Sequence, residues 1–338
     1  MKKYVLKRLL YILVVFLVIS LIMYCLFNLI PTDPARTQLE GVKKSMKPAD
    51  YEVRYQQLRE SMGLDDPLLL RYARWLGVAP EKSGEWNGLL EGNFGYSQFH
   101  KQTCVTVIKE PIKNTLMFNV FAVTLTLLVT IPLGIVCAVR KGGKLDQTVQ
   151  TITILGYSIP QYIIALLFIY LFAVILRWFP VNGAKTPGSS YVGMQAFLDK
   201  LYYMTLPIIV SVFGSLGGMS RYVRASMIDA LSLDCIRTAR AKGVREKVVI
   251  YSHAWRNALL PVITSIIGWF LSVFSGSLVL ENVFSLNGMG KLYILALNNN
   301  DAELCLAIQM FYTVIALFGN LITDLAYGLV DPRVRVDK

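Results

Sequence analysis

Six stretches of this chain run for 20 residues or more without one Asp, Glu, Lys or Arg: Leu9–Thr32, Asn114–Val139, Gln147–Leu176, Leu201–Ser220, Asn257–Leu280 and Leu304–Thr323. A bilayer core is about 30 Å thick, and a helix needs about 20 apolar residues to cross it. An ionised side chain at the centre of such a helix costs about 2.5–3.5 kcal/mol. The next longest uncharged stretch, Thr186–Leu198, is rich in Gly, Ser and Pro and reads as a loop. The chain therefore reads as an all-α integral membrane protein with six transmembrane helices, helical because unpaired backbone groups cannot face lipid. Only 17% of its 338 residues are charged, where soluble domains run nearer a quarter.

Six spans put both termini on one side. That side (1–8, 140–146, 221–256 and 324–338) carries a net charge of +11, against +1 for the far larger opposite side. The positive-inside rule then places both termini in the cytoplasm, and the overall charge of +12 needs no nucleic-acid partner to explain it. Lys2, Lys3, Lys7 and Arg8 ahead of an apolar run also suit a signal peptide. The run is too long for one, however, and ends in Pro31-Thr32-Asp33-Pro34 without a small-residue cleavage site. The expected organisation is a cytoplasmic N-terminus with the first span (1–32), an extracytoplasmic segment (33–113), and a core (114–338) holding spans two to six and a long cytoplasmic loop (221–256).

The five cysteines show no CxxC spacing and the two histidines, His100 and His253, fall on opposite predicted sides, so neither a disulfide framework nor a metal site is expected. The outer segment reads as helical. Tyr51, Tyr55, Leu58 and Met62 recur at helical spacing, with Asp50 as the expected N-cap and Gly63 past the end. A second helix is predicted from Pro67 to before Gly77, with Leu69, Tyr72 and Leu76 on one face. The two stripes are expected to pack on each other or on the bilayer surface. Gly214 with Gly218, and Gly268 with Ser272 and Gly276, have the four-residue spacing that lets helices approach closely. Pro132, Pro160 and Pro207 should each kink or end a span.

The inner segment 221–256 holds eight Lys/Arg, yet Ile236, Ala239 and Gly243 recur at helical spacing, and Gly243 suits a sharp helix end. A basic inner loop is often no more than a topology determinant. Here Arg237-Thr238-Ala239-Arg240-Ala241-Lys242-Gly243, with His253-Ala254-Trp255-Arg256-Asn257-Ala258-Leu259-Leu260-Pro261 after it, resembles the cytoplasmic EAA loop of bacterial ABC-importer permeases. Its wording resembles that of B-type subunits of the oligopeptide/dipeptide/nickel permease family. So does the wording of Leu90-Glu91-Gly92-Asn93-Phe94-Gly95-Tyr96-Ser97, Ser158-Ile159-Pro160-Gln161, Trp178-Phe179-Pro180-Val181-Asn182-Gly183, Glu281-Asn282-Val283-Phe284 through Gly288-Met289-Gly290, and Asp331-Pro332-Arg333.

This resemblance, nearly end to end, implies a type I ABC importer permease in the bacterial cytoplasmic membrane. It implies four kinds of neighbour: a second homologous permease, two ATP-binding subunits, an extracytoplasmic solute-binding protein and the bilayer. It implies no cofactor on this chain, with ATP used by the partner subunits. Arg237, Thr238, Ala239 and Gly243 match the core of the ATPase-coupling motif. The general pattern's closing Pro would fall at Arg256, whereas this chain has Pro261, a shift that B-type members share.

Gly288-Met289-Gly290-Lys291 faintly resembles a phosphate loop, but Ser285 and Leu292 stand where that pattern needs Gly and Ser/Thr. A membrane-embedded enzyme would need ionisable groups at depth, and the six stretches hold none. A scaffold or sensor without flux is the remaining alternative. Within the family, peptides are the expected cargo, with nickel or another small solute as the alternative. Asn119, Ser158, Gln161 and Asn320 are candidates to line the pathway, or to hydrogen-bond between helices.

Overall fold

The computed structural model describes residues 2–29 and 33–330. Pro31-Thr32 and the Asp331-Pro332-Arg333 phrase lie outside the described residues. The helices are α1 (Lys2–Asn28), α2 (Pro34–Leu39), α3 (Pro48–Ser61), α4 (Leu68–Leu76), α5 (Cys104–Val139), α6 (Lys144–Ser158) and α7 (Gln161–Phe168), the last continuing as a π-helix over Ile169–Ile175. Next come α8 (Met194–Leu231), α9 (Asp234–Ala241), α10 (Glu246–Val248), a π-helical turn (Val249–Ala254) and α11 (Trp255–Ser272). The last are α12 (Leu278–Val283), α13 (Met289–Asn298) and α14 (Ala302–Val330). One short antiparallel pair, β1 (Tyr96–Ser97) with β2 (Gln102–Thr103), accompanies them.

Among the described residues, five stretches are long and apolar enough to cross a membrane as single helices: Leu6–Asn28, Cys104–Val139, Met194–Leu231, Glu246–Ser272 and Ala302–Asp324. The pair α6–α7 passes the same test but is bent by 103°, and counted as one span it makes the sixth. Each uncharged stretch thus overlaps a span of its own. The bend has a local cause. A proline disfavours helical geometry in the residue before it, and Ile159 (ψ 129°) and Pro160 (ψ 134°) are both extended. Two successive extended residues break a helix rather than kink it. Pro132 and Pro207, by contrast, lie inside α5 and α8, which continue past them.

The chain divides into two compact units. One comprises Lys113–Lys291 with the described residues from Phe318 to Val330. Its first core gathers Phe118 of α5, Ile164 of α7, Met204 and Leu206 of α8, and Leu280 and Phe284. Its second core joins Ile135 of α5, Val223 and Met227 of α8, Ile236 of α9 and Val262 of α11. Glycines set the closest approaches. A Cβ on Gly134 would lie 2.7 Å from the Ser220 carbonyl oxygen, and one on Gly217 would lie 2.6 Å from that of Thr153. On α8 it is therefore Gly217, with Gly214 against the Gln161 side chain, that meets a neighbour. Gly218 and Gly268 have no atom within 4 Å of an added Cβ, so within this chain the close approach on α8 is made by Gly217 in place of Gly218.

The other unit comprises Lys2–Ile112 with Leu292–Leu317. The α3 stripe of Tyr51, Tyr55, Leu58 and Met62 packs on Ala35 and Leu39 of α2. On α4, Tyr72, Trp75 and Leu76 pack with Tyr24 and Phe27 of α1 and with Leu306 and Met310 of α14. The stripes therefore face separate partners rather than each other, and Leu69 is exposed. Helix α3 begins with Pro48 after Lys47 as N-cap, so Asp50 lies in the first turn instead of capping it. A proline is pre-set for that first position. Helix α4 follows Pro67 and stops at Gly77, whose φ of 93° suits glycine.

Asp33 ties α2 to α3. Its carboxylate caps α2 through the Ala35 and Arg36 N–H groups and accepts from the Tyr55 hydroxyl at 2.5 Å and from Arg59 at 2.8 Å. Partial burial works against the charge, but Tyr55, the two backbone donors and Arg59 outweigh it and hold the carboxyl below its usual range.

Candidate functional site

The segment after α8 builds a compact turn from short-range rules. Helix α8 runs on to Leu231 and so takes in Arg221 and Arg224, which had read as loop. Helix α9 then follows, with Leu233 as N-cap. Its inner face is Ile236 and Ala239, both buried against Val249, Ile250 and Ala254. Its outer face carries Cys235, Arg237, Thr238, Ala241 and Lys242, all exposed.

The end of α9 satisfies its last carbonyls in an orderly way. Gly243 N–H donates to the Arg240 carbonyl at 2.9 Å and Val244 N–H to that of Ala239 at 3.2 Å. That is the Schellman arrangement, which needs a left-handed residue between the two donors, and Gly243 has φ 76°. A Cβ there would meet nothing within 4 Å. Gly243 is therefore required for backbone geometry at this sharp helix end, and within this chain the space beside it is open.

Arg240 is engaged inside the turn, donating to both Glu246 carboxylate oxygens at 3.2 and 2.6 Å. Glu246 holds this guanidinium protonated more firmly still. Among the described residues Arg237 pairs only with Asp234, at 3.4 Å, with both side chains largely in solvent. The Thr238 hydroxyl donates back to the Asp234 carbonyl. Of the four motif residues, Arg237 and Thr238 thus face outward, Ala239 anchors the helix and Gly243 turns it.

Beside this turn, Arg224 of α8 grips Asp146 of α6 with two bonds, 2.7 and 2.6 Å. Asp146 is nearly inaccessible and also accepts from the Gly142 N–H. Residue-by-residue reading missed this pair. Opposite charges at the same-side ends of spans three and four were the available signal.

The polar pathway candidates are not gathered at one point. The Asn119 amide donates to the Val273 and Ser275 carbonyls at 2.8 and 2.7 Å, closing the end of α11. Ser158 bonds back to the Ile154 carbonyl at the α6–α7 break, and Gln161 lies just past that break beside Gly214. Asn320 is exposed on α14.

The glycine pair that resembled a phosphate loop holds an anion of its own. The buried Glu281 carboxylate accepts from Thr115 Oγ1 at 2.7 Å and from the N–H groups of Gly290 and Lys291 at 2.6 and 3.1 Å. Thr115 in turn accepts from Met289 N–H at 2.8 Å. Three of the free N–H groups at the start of α13 are satisfied this way. An added Cβ on Gly288 would overlap the carboxylate, so only glycine admits it. Burial pushes the Glu281 carboxyl up, with these donors pulling it back.

Comparison with known proteins agrees with these features. The family model described as "Binding-protein-dependent transport system inner membrane component" matches residues 130–336, and the corresponding N-terminal model matches residues 1–119. The chain is 33% identical to the oligopeptide transport system permease protein AppB of Bacillus subtilis over 99% of both chains. It is 31% identical to the dipeptide transport system permease protein DppB of the same organism, over 100% of this chain and 99% of that one.

Proposed function

Because the chain belongs to the family of binding-protein-dependent transport system inner membrane components, we propose that it forms half of the membrane pathway of an ATP-driven importer for oligopeptides or dipeptides. The observation that carries the cargo is the end-to-end similarity to oligopeptide and dipeptide permeases, at 33% and 31% identity. A second homologous permease completes the pathway, two separate ATP-binding subunits hydrolyse ATP, and an extracytoplasmic solute-binding protein delivers the peptide. Both termini lie in the cytoplasm, as the charge bias of +11 against +1 requires. Residues 33–113 then face outward and 221–256 inward.

Helix α9 docks in a groove of one ATP-binding subunit. Its exposed face suits that role, because among the described residues Arg237 pairs only with the exposed Asp234 and so can pair across an interface. Ile236 and Ala239 transmit the movement inward, since they are packed against the turn that leads into α11. ATP shifts the pathway only to the extent that the docked helix favours one of two states. Ser158 and Gln161 at the α6–α7 break, Asn320, and the Asn119 carbonyl oxygen are the polar groups assigned to the pathway.

The test is reconstitution of the chain with its partner subunits in proteoliposomes, supplied with binding protein and ATP. Saturable, ATP-dependent uptake of a radiolabelled dipeptide is expected. Uptake of nickel without uptake of any peptide overturns the cargo.

A further inference from the structure

Within the unit formed by Lys2–Ile112 and Leu292–Leu317, a cleft of about 680 Å³ opens between the end of α1, α4, the 88–96 loop and the start of α14. That is in the range of small-molecule sites. Tyr24, Phe27, Trp75 and Tyr96 give it aromatic walls, and its charged lining includes Arg71, Glu81 and Glu303.

The other arginines of the cleft are already neutralised. Arg59 pairs with Asp33 and Asp65, and Arg74 pairs with Asp66. Arg71 and Glu303 differ. Arg71 donates to the Asn28 side-chain amide oxygen, Oδ1, at 2.6 Å, and among the described residues no carboxylate pairs with it. Glu303 accepts one bond, from the Tyr96 N–H at 2.7 Å, and no cation among the described residues pairs with it. Arg71 and Glu303 thus line one cleft without pairing with each other.

A lone anion would be opposed there by Glu303, and a lone cation by Arg71. A ligand carrying both charges, separated by a short apolar body, satisfies the two at once. We propose that this cleft binds a short zwitterionic peptide, its terminal carboxylate on Arg71, its terminal ammonium on Glu303, and its side chains against the aromatic walls. The inference rests on the peptide-cargo reading and gives the permease a receiving site of its own.

The experiment uses the full chain in phosphatidylcholine nanodiscs, titrated calorimetrically with Leu-Leu, N-acetyl-Leu-Leu and Leu-Leu-amide. Leu-Leu should bind saturably, and blocking either terminus should weaken it at least about tenfold, a loss of one charge-assisted contact. Glu303→Gln should remove the discrimination against the acetylated peptide alone, and Arg71→Gln that against the amide alone. These variants are read by discrimination, so a general loss of fold cannot imitate the pattern, and the blocked peptides test the unaltered chain. No binding of Leu-Leu, equal binding of all three peptides, or displacement of Leu-Leu when phosphatidylethanolamine replaces phosphatidylcholine each overturns the proposal. ATP-driven uptake by the assembled transporter is measured separately. Uptake without binding to this chain removes the receiving site and leaves the permease function standing.

Discussion

At the scale of single residues, Gly243 separates two reasons for a glycine. Its φ of 76° penalises any other L-residue by about 1–2 kcal/mol, with Asn among the least affected. The open space beside it adds no clash within the chain. Gly243→Asn should therefore keep both its membrane level and its transport. Gly243→Glu should remain in the membrane but lose transport by more than about tenfold, since a carboxylate would then occupy the surface offered to the partner. Uptake of labelled dipeptide, normalised to the amount of chain in the membrane, is the measurement. Wild-type transport by the glutamate variant would remove α9 from the coupling role. Glu281 and Gly288 make the complementary case, in which a glycine is needed for space because a buried carboxylate lies where its Cβ would be. Spacing alone revealed the glycines in both places, but only coordinates tell which reason applies, because torsion and neighbours far along the chain are not written into a local pattern.

At the scale of elements, what was legible follows from local chemistry. Helix α4, with Pro67 before it and Gly77 after it, and α9, with Gly243 behind it, end where proline and glycine rules place their ends. What was illegible depended on packing at long range. Three prolines carried the same local signal, yet only Pro160 broke its span. A charge-free count finds the apolar length but is blind to a bend. The break is attributed to the pre-proline geometry of Ile159, and that attribution has a consequence. Spin labels at Ile152 and Tyr170, both exposed, would be about 27 Å apart along an unbroken helix, and a sharp bend shortens that separation. Pulsed electron resonance should give the shorter distance for the unaltered chain and a shift towards the longer one for Pro160→Ala. An unchanged distance would mean that tertiary contacts, such as that of Gln161 with Gly214, impose the bend without the proline.

At the scale of the whole molecule, the number of spans and their sidedness rest on different physics. The number follows from what lipid excludes, and each of the six uncharged stretches overlaps a different apolar helix, the bent pair counted as one. Sidedness follows from the distribution of Lys and Arg, which lies outside the spans and is independent of their packing. The two compact units were not legible at all, because one of them joins Lys2–Ile112 to Leu292–Leu317 across most of the chain's length. The charge argument makes a firm demand. Lys242, exposed at the end of α9, must lie on the cytoplasmic side, and Trp86, exposed in the segment between spans one and two, must lie on the other. With Cys235 replaced by Ser, a Lys242→Cys chain in intact cells should resist a membrane-impermeant maleimide until the membrane is opened, whereas a Trp86→Cys chain should react at once. Reaction of the Lys242→Cys chain from outside would invert the topology and, with it, remove α9 from reach of any cytoplasmic ATP-binding subunit.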